Sequence, residues 1–222
     1  MNKTFLMYHD IVLANKIDIG EYDIELHIFQ DHVKHVADRN LQHEVVFTFD
    51  DGYESHYKVA EILLEKGIKG IFFVVTGNLN TPTHLTHSQV AEIHSMGHTI
   101  ASHSHTHSMF SMLNNNDVEH ELIISKKILE EIIQNDVEDF AFPGGKYKQH
   151  QVKLAKALGY RRVYTSDEGY ANKQSIKRMH VRQSTKNEYS SIIDRALSYY
   201  LKRELRTKLI KLKNVLHAVI NG

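Results

Sequence analysis

The chain contains no cysteine, which excludes disulfides and thiolate chemistry while leaving the redox compartment undecided. It also carries no net charge: 27 Lys and Arg balance 27 Asp and Glu, so no global field draws it to nucleic acid or to an anionic membrane. Long apolar runs are missing as well. The opening MNKTFLMYHDIV has no stretch long enough for a signal-peptide core, and nothing later approaches the roughly 20 apolar residues of a membrane span. These absences lead to the expectation of a cytoplasmic protein with no nucleic-acid partner.

What is present is the material for one sizeable domain. In 222 residues, 41% are hydrophobic and 24% charged, enough for a proper core. The anomaly is 17 histidines, the commonest metal ligand and the usual acid or base near neutral pH. Eight of them, His27, His32, His35, His84, His87, His94, His120 and His150, stand among polar helix or loop residues and read as surface.

Short β-branched or aromatic runs at 4–8, 44–49, 70–75, 98–102, 139–142, 161–165 and 178–181 alternate with amphipathic helical patterns. One helix carries Val59, Ile62 and Leu63 on a single face and stops at Gly67; another opens on the Thr86-x-x-Gln89 pattern of a capping box and closes on Gly97. The turn-like NNND at 114–117 marks a further helix start. Alternation of this kind predicts an α/β fold, an irregular (β/α)7 barrel. The expectation is a single domain over 1–222, with its core at about 3–185 and a C-terminal helical segment at about 188–220.

The residues that follow the strands carry the chemistry. They are His9-Asp10, Asp50-Asp51-Gly52, Thr76-Gly77, His103 to His107, Pro143-Gly144-Gly145, Ser166-Asp167 and Arg182. In a barrel these positions share one rim. Asp50 and Asp51 end the apolar run EVVFTF, and two ionised carboxylates at the edge of a core are costly unless a cation relieves them. ASHSHTH (101–107) supplies His103 and His107, which face one ion if the segment curls into a turn, with Asp51 as third ligand and open positions left for water. Asp50 then remains ionised beside that water. Taken alone, Asp-Asp-Gly after a strand is an ordinary turn and either histidine an ordinary loop residue; it is the combination that reads as a metal site.

TFDDG (48–52) followed by HSHTH (103–107) resembles the first two motifs of the polysaccharide deacetylase family, the NodB-homology domains of carbohydrate esterase family 4. The resemblance runs from about residue 3 to 182 and implies hydrolysis of an N-acetyl group from a sugar of a glycan or sugar conjugate. It implies Asp50 as general base and Asp51, His103 and His107 as ligands of a divalent metal. Zinc comes first, with cobalt, nickel, iron or manganese as alternatives. FAFPGGKY (140–147) matches the third motif, keeping Pro143 and placing the Gly144 N–H at the oxyanion position, but it lacks the arginine that orients the base. Arg178 and Arg182 are the candidates to replace it. The last motif, Leu-x-His, has no match near the C-terminus. Instead FLMYHDI resembles the opening of a circularly permuted branch, the poly-N-acetylglucosamine deacetylase type, which implies His9 as catalytic acid; His180, inside RMHV, is the competing candidate and reads as a strand side chain.

Two other functions are carried forward. One is a deformylase or other C–N amide hydrolase on the same metal site; the other is a glycan-binding barrel without activity, which the missing arginine would favour. The tail YYLKRELRTKLIKLKNVLHAVI (199–220) repeats Leu201, Leu205, Leu209, Leu212 and Leu216 at helical spacing among basic residues. Its plain reading is a closing helix packed on the barrel; the alternative is peripheral contact with a membrane or partner.

Overall fold

The computed structural model describes residues 3–13, 19–167, 175–188, 191, 193 and 194. In chain order its elements are β1 (Thr4–Tyr8), β2 (Ile11–Val12), β3 (Ile24–Glu25), α1 (Leu26–Asp38), β4 (Val45–Phe49), α2 (Ser55–Glu65), β5 (Gly70–Val74), α3 (His87–Ser95), β6 (Thr99–Ser102), α4 (Asn115–Ile133), β7 (Asp139–Ala141), α5 (Gln149–Ala157), β8 (Arg162–Thr165), β9 (Ile176–Lys177) and β10 (Met179–His180). The expected tail helix at 199–220 lies outside the described residues.

Eight strands pair in parallel in the order β10-β1-β4-β5-β6-β7-β8-β9. The two ends of that order are neighbours in sequence, with only Arg178 between them. Residues 176–177 pair with β8, and 179–180 pair with β1. One interrupted strand therefore closes the ring, and the wall has the seven expected staves. Where the sequence reading has a single strand at 178–181, the structure breaks it at Arg178, whose side chain is fully buried. The short parallel pair β2 and β3 was not anticipated.

The composition of the strands follows from burial on both faces. All five residues of β4 are buried, as expected for a parallel strand between a filled barrel and a helical shell. Phe73, Ala101, Ala141 and Tyr164 pack together inside, joined by Phe5, Ile71 and Ile176, while Phe47, Phe49, Phe72 and Phe140 belong to the larger layer shared with the helices. The helix starts are local chemistry. Thr86 accepts from the Gln89 N–H, and the Gln89 side chain accepts from the Thr86 N–H in return, satisfying two orphan donors. Asn114 caps α4 by accepting from the Asp117 N–H.

Histidines do more of this packing than their polar neighbours suggest. His32 is buried, accepting from the Tyr8 hydroxyl at 3.0 Å and donating to the Lys186 carbonyl at 3.1 Å. The surface reading of His32 is therefore corrected: its place on the buried face of α1, beside Phe29, Val33 and Val36, decides its role. Among the described residues, no helix is long and apolar enough to cross a membrane.

Candidate functional site

At the C-terminal ends of β4 and β6 the chain makes turns that few side chains tolerate. Asp51 has φ 76° and is followed by Gly52 at φ 76°; Ser104 has φ 70° and His107 φ 60°. Left-handed conformations at non-glycine residues are uncommon and persist where surrounding contacts enforce them. Here those contacts come from α4. The buried Glu121 carboxylate accepts from the His105 and Thr106 N–H groups at 2.8 and 2.9 Å and from the Thr106 hydroxyl at 2.7 Å. The Ser104 hydroxyl accepts from the His107 N–H at 3.0 Å. The result is a one-turn curl that brings His103 and His107 to face the same point.

That point is the end of Asp51. Its Oδ1 lies 3.1 Å from His107 Nε2 and 3.5 Å from His103 Nε2, and one ligand atom from each of the three residues lies within 4.8 Å of the others. Asp51 Oδ1 is buried and, among the described residues, has no hydrogen bond of regular geometry. One carboxylate converging with two imidazoles is a donor set for zinc and similar divalent ions. The second nitrogen of His103 fixes the tautomer: Nδ1–H donates to the Ala141 carbonyl at 2.9 Å, so Nε2 presents its lone pair. Burial pushes His103 below the usual imidazole range, against the pull of the Asp50 and Asp51 charges, and this favours the neutral ligand form. His107 is the open side of the cluster, 41% exposed against 2% for His103. His105, between the two, turns away to Thr76 Oγ1 at 2.9 Å.

Asp50 stands behind this cluster, buried, with Oδ2 3.7 Å from His103 Nε2. Its partner is Arg178. Nη1 and Nη2 donate to the two carboxylate oxygens at 2.5 and 2.8 Å, while Nε donates to the Thr165 carbonyl at 3.3 Å and the guanidinium lies 4.9 Å from the Phe73 ring centre. Burial alone would push the Asp50 carboxyl up. The Arg178 charge, with its two hydrogen bonds, more than offsets this and holds it below the usual carboxylate range. Of the two arginines singled out from sequence, Arg178 meets the carboxylate; Arg182 lies over the Tyr22 ring instead, 5.5 Å from its centre.

His9 follows β1 on the same rim, within electrostatic reach of both Asp50 and Asp51. Its backbone is pinned by the buried His56, whose Nε2–H donates to the His9 carbonyl at 2.8 Å, and its own Nδ1 is buried without a hydrogen-bond partner among the described residues. His180 is differently employed, its Nε2–H donating to the Ser166 carbonyl at 2.9 Å. Gly144 occupies a left-handed turn at φ 57°, three residues past the end of β7, the strand whose Ala141 carbonyl anchors His103. Beside it, a Cβ on Gly145 would sit 1.6 Å from Ser166 Oγ, so this turn closes against the next loop only with glycine there.

Two contributors escaped the sequence reading. Glu121 lies mid-helix in α4 and carries no motif; only its burial reveals it. Tyr53, immediately after the Asp-Asp-Gly turn, is pushed up to about 12 by burial and by the Asp51, Asp10 and Asp23 carboxylates, so it meets Asp51 as a neutral phenol.

Comparison with known proteins adds independent findings. A family model described as polysaccharide deacetylase matches residues 37–163, more than half of the chain, and takes in Asp50, Asp51, His103, His107 and Gly144 but neither His9 nor Arg178. The Bacillus subtilis protein YxkH is 27% identical over 183 residues, 76% of this chain and 66% of that protein. The peptidoglycan-N-acetylmuramic acid deacetylase PdaA of Bacillus subtilis is 30% identical over 128 residues, 55% of this chain and 46% of that protein. The chain thus spans about half to two thirds of the length of these relatives. Among solved structures, the Streptococcus pyogenes deacetylase PplD, in complex with acetate, superposes with a TM-score of 0.76 at 21% identity, over 85% of this chain and 96% of that one. IcaB from Ammonifex degensii gives 0.71 at 18% identity, over 86% and 96%. At these identities the likeness to solved structures is one of fold.

Proposed function

Since the chain belongs to the polysaccharide deacetylase family, we propose that it is a metal-dependent hydrolase that removes the N-acetyl group from an N-acetylated sugar in a polysaccharide or glycoconjugate. The observation that carries this reading is the convergence of Asp51, His103 and His107 at one point, with the Arg178-held Asp50 beside them. Asp51, His103 and His107 would hold the divalent ion, zinc by preference for this donor set. When bound, the ion supplies Lewis-acid polarisation of the amide carbonyl and acidifies the attacking water.

The protein groups divide the remaining work. Asp50, ionised and oriented by Arg178, takes the proton of the water as its oxygen bonds to the acetyl carbon. The Gly144 N–H is the donor proposed for the oxygen that becomes negative, a role that belongs to the backbone and needs no side chain. His9 gives a proton to the nitrogen as the C–N bond breaks, so the products are acetate and a free amino sugar. Without that proton the leaving group would be an amine anion.

Acetate release from N-acetylated oligosaccharides tests the reading directly. It should require zinc or a similar ion, vanish on chelation and return on metal addition. Formate release from N-formyl substrates in its place would shift the assignment to a deformylase. Glycan binding with no release from either would mark a barrel that only binds. The retention of a base, three ligands and an acid candidate favours the hydrolase.

A further inference from the structure

Tyr22 is a large aromatic side chain left 43% exposed on the rim, in the turn just before β3 and outside every motif discussed above. Its ring centre is 5.0 Å from His9, 6.0 Å from His180 and 5.5 Å from the Arg182 guanidinium carbon. These neighbours hold the ring against the rim, and the rest of it faces outward.

The backbone on both sides of Tyr22 is clamped. The Glu21 carbonyl accepts from the Gln183 N–H at 2.8 Å, and the Asp23 carbonyl accepts from the Gln183 side-chain amide at 2.6 Å. Asp23 also closes its own turn through Gly20, with its Oδ2 accepting from the Gly20 N–H at 3.0 Å. An exposed aromatic ring costs hydrophobic free energy in water, and an unclamped one would collapse onto the nearest apolar surface. Here two hydrogen bonds from the turn after β10 keep it presented in one place, as a preorganised contact requires.

We propose that Tyr22 is a sugar-binding platform, its exposed face taking the apolar face of a pyranose ring of the substrate beside His9, with Arg182 backing the ring. The chemistry selects the ligand. A pyranose has one face of C–H groups that suits a π surface. A sugar stacked there lies next to the histidine assigned to protonate the departing amine, so the platform sets the approach of the scissile amide. The proposal rests on the glycan-hydrolase reading above, and it concerns binding, which is measured separately from turnover.

The test is titration of the chelator-treated full chain with an N-acetylglucosamine tetramer, followed by NMR or calorimetry, alongside acetate release by the zinc-loaded protein. Tyr22→Ala and Tyr22→Leu should weaken binding by about tenfold, Tyr22→Phe should stay within about twofold of wild type, and zinc content should not change. Tyr22→Leu keeps apolar bulk, so it separates loss of the π face from loss of folding. The proposal fails if Tyr22→Ala and Tyr22→Leu bind as wild type, if Tyr22→Phe loses as much as Tyr22→Ala, or if kcat falls while binding is untouched. Wild-type acetate release with Tyr22-independent binding would sink the platform and leave the activity standing. Tyr22-dependent binding without acetate release would do the reverse.

Discussion

Arg178 grips both carboxylate oxygens of Asp50, at 2.5 and 2.8 Å, from the single residue that interrupts the strand closing the barrel. The position explains the interruption. A fully buried guanidinium inside a barrel needs acceptors for its donors, and it finds them in Asp50, the Thr165 carbonyl and Thr48 Oγ1, the last at 3.4 Å. The fork holds the carboxylate in one orientation and in its ionised form, which a general base requires.

Arg178→Met should therefore lower kcat by about a hundredfold or more while leaving zinc content near wild type, because it removes none of the proposed ligands Asp51, His103 and His107. It should also destabilise the fold by about 3–5 kcal/mol, the usual consequence of stranding a buried charge. Arg178→Lys should recover only part of either loss, since an ammonium cannot make the two-pronged contact. Arg182→Met should act on sugar binding through the Tyr22 platform and leave kcat at saturating substrate within about twofold. Equal kcat losses in Arg178→Met and Arg182→Met would remove Asp50 orientation from the account.

Glu121 predicts a different phenotype. It is the buried carboxylate holding the left-handed curl from Ser104 to His107, and it touches neither Asp50 nor Asp51. Glu121→Ala should weaken zinc affinity by about 10–100-fold, the range seen when supports of ligands are removed, and at saturating zinc kcat should largely return. Metal titration against a competing chelator reads the first, and zinc-rescued kinetics the second. A kcat that stays low at saturating zinc would show that Glu121 does more than shape the curl.

The candidate site was legible in sequence wherever a motif sits on one stretch of chain. Asp50-Asp51 and His103-x-x-x-His107 announce themselves because the acidic pair ends an apolar run and the histidines are close in sequence. The barrel was legible for a related reason: seven apolar runs alternating with capped helices admit few packings. What could not be read were partners that only closure brings together. Arg178 is 128 residues from Asp50, and nothing in RMHV distinguishes it from Arg182. Glu121 looks like any charged residue of a long amphipathic helix, and His32 like a polar residue of α1, until burial is known.

The choice between His9 and His180 as acid turns on where each imidazole is engaged. His180 spends Nε2–H on the Ser166 carbonyl, whereas His9 is held by its backbone and stands close to both aspartates. His9→Ala should lower kcat by about 10²–10⁴ with KM little changed. His180→Ala should act mainly on stability. The dependence on leaving group decides the matter: activated acetyl esters, which need no proton on departure, should be cleaved by His9→Ala nearly as well as by wild type, and a parallel loss on esters and amides would argue against an acid role.

His32 makes stability depend on pH in a defined direction. Burial lowers it from the ordinary 6.5 to about 4, opposed only in part by its bond to the Lys186 carbonyl. The folded protein therefore keeps this imidazole neutral between those values while the unfolded chain protonates it, so stability is complete above about 6.5 and is lost as pH falls toward 4. The geometry agrees with the sign. Nε2–H already donates to Lys186, so a second proton would enter at Nδ1, where the Tyr8 hydroxyl now donates. The loss from this one group is on the order of 3 kcal/mol. His56 and His98, also lowered chiefly by burial, add in the same direction. Urea midpoints of chelator-treated protein between pH 7 and 4.5 should therefore fall more steeply in wild type than in His32→Gln, which keeps a donor and an acceptor but does not titrate. If the two curves run parallel across that window, the charge on His32 is not what acid attacks.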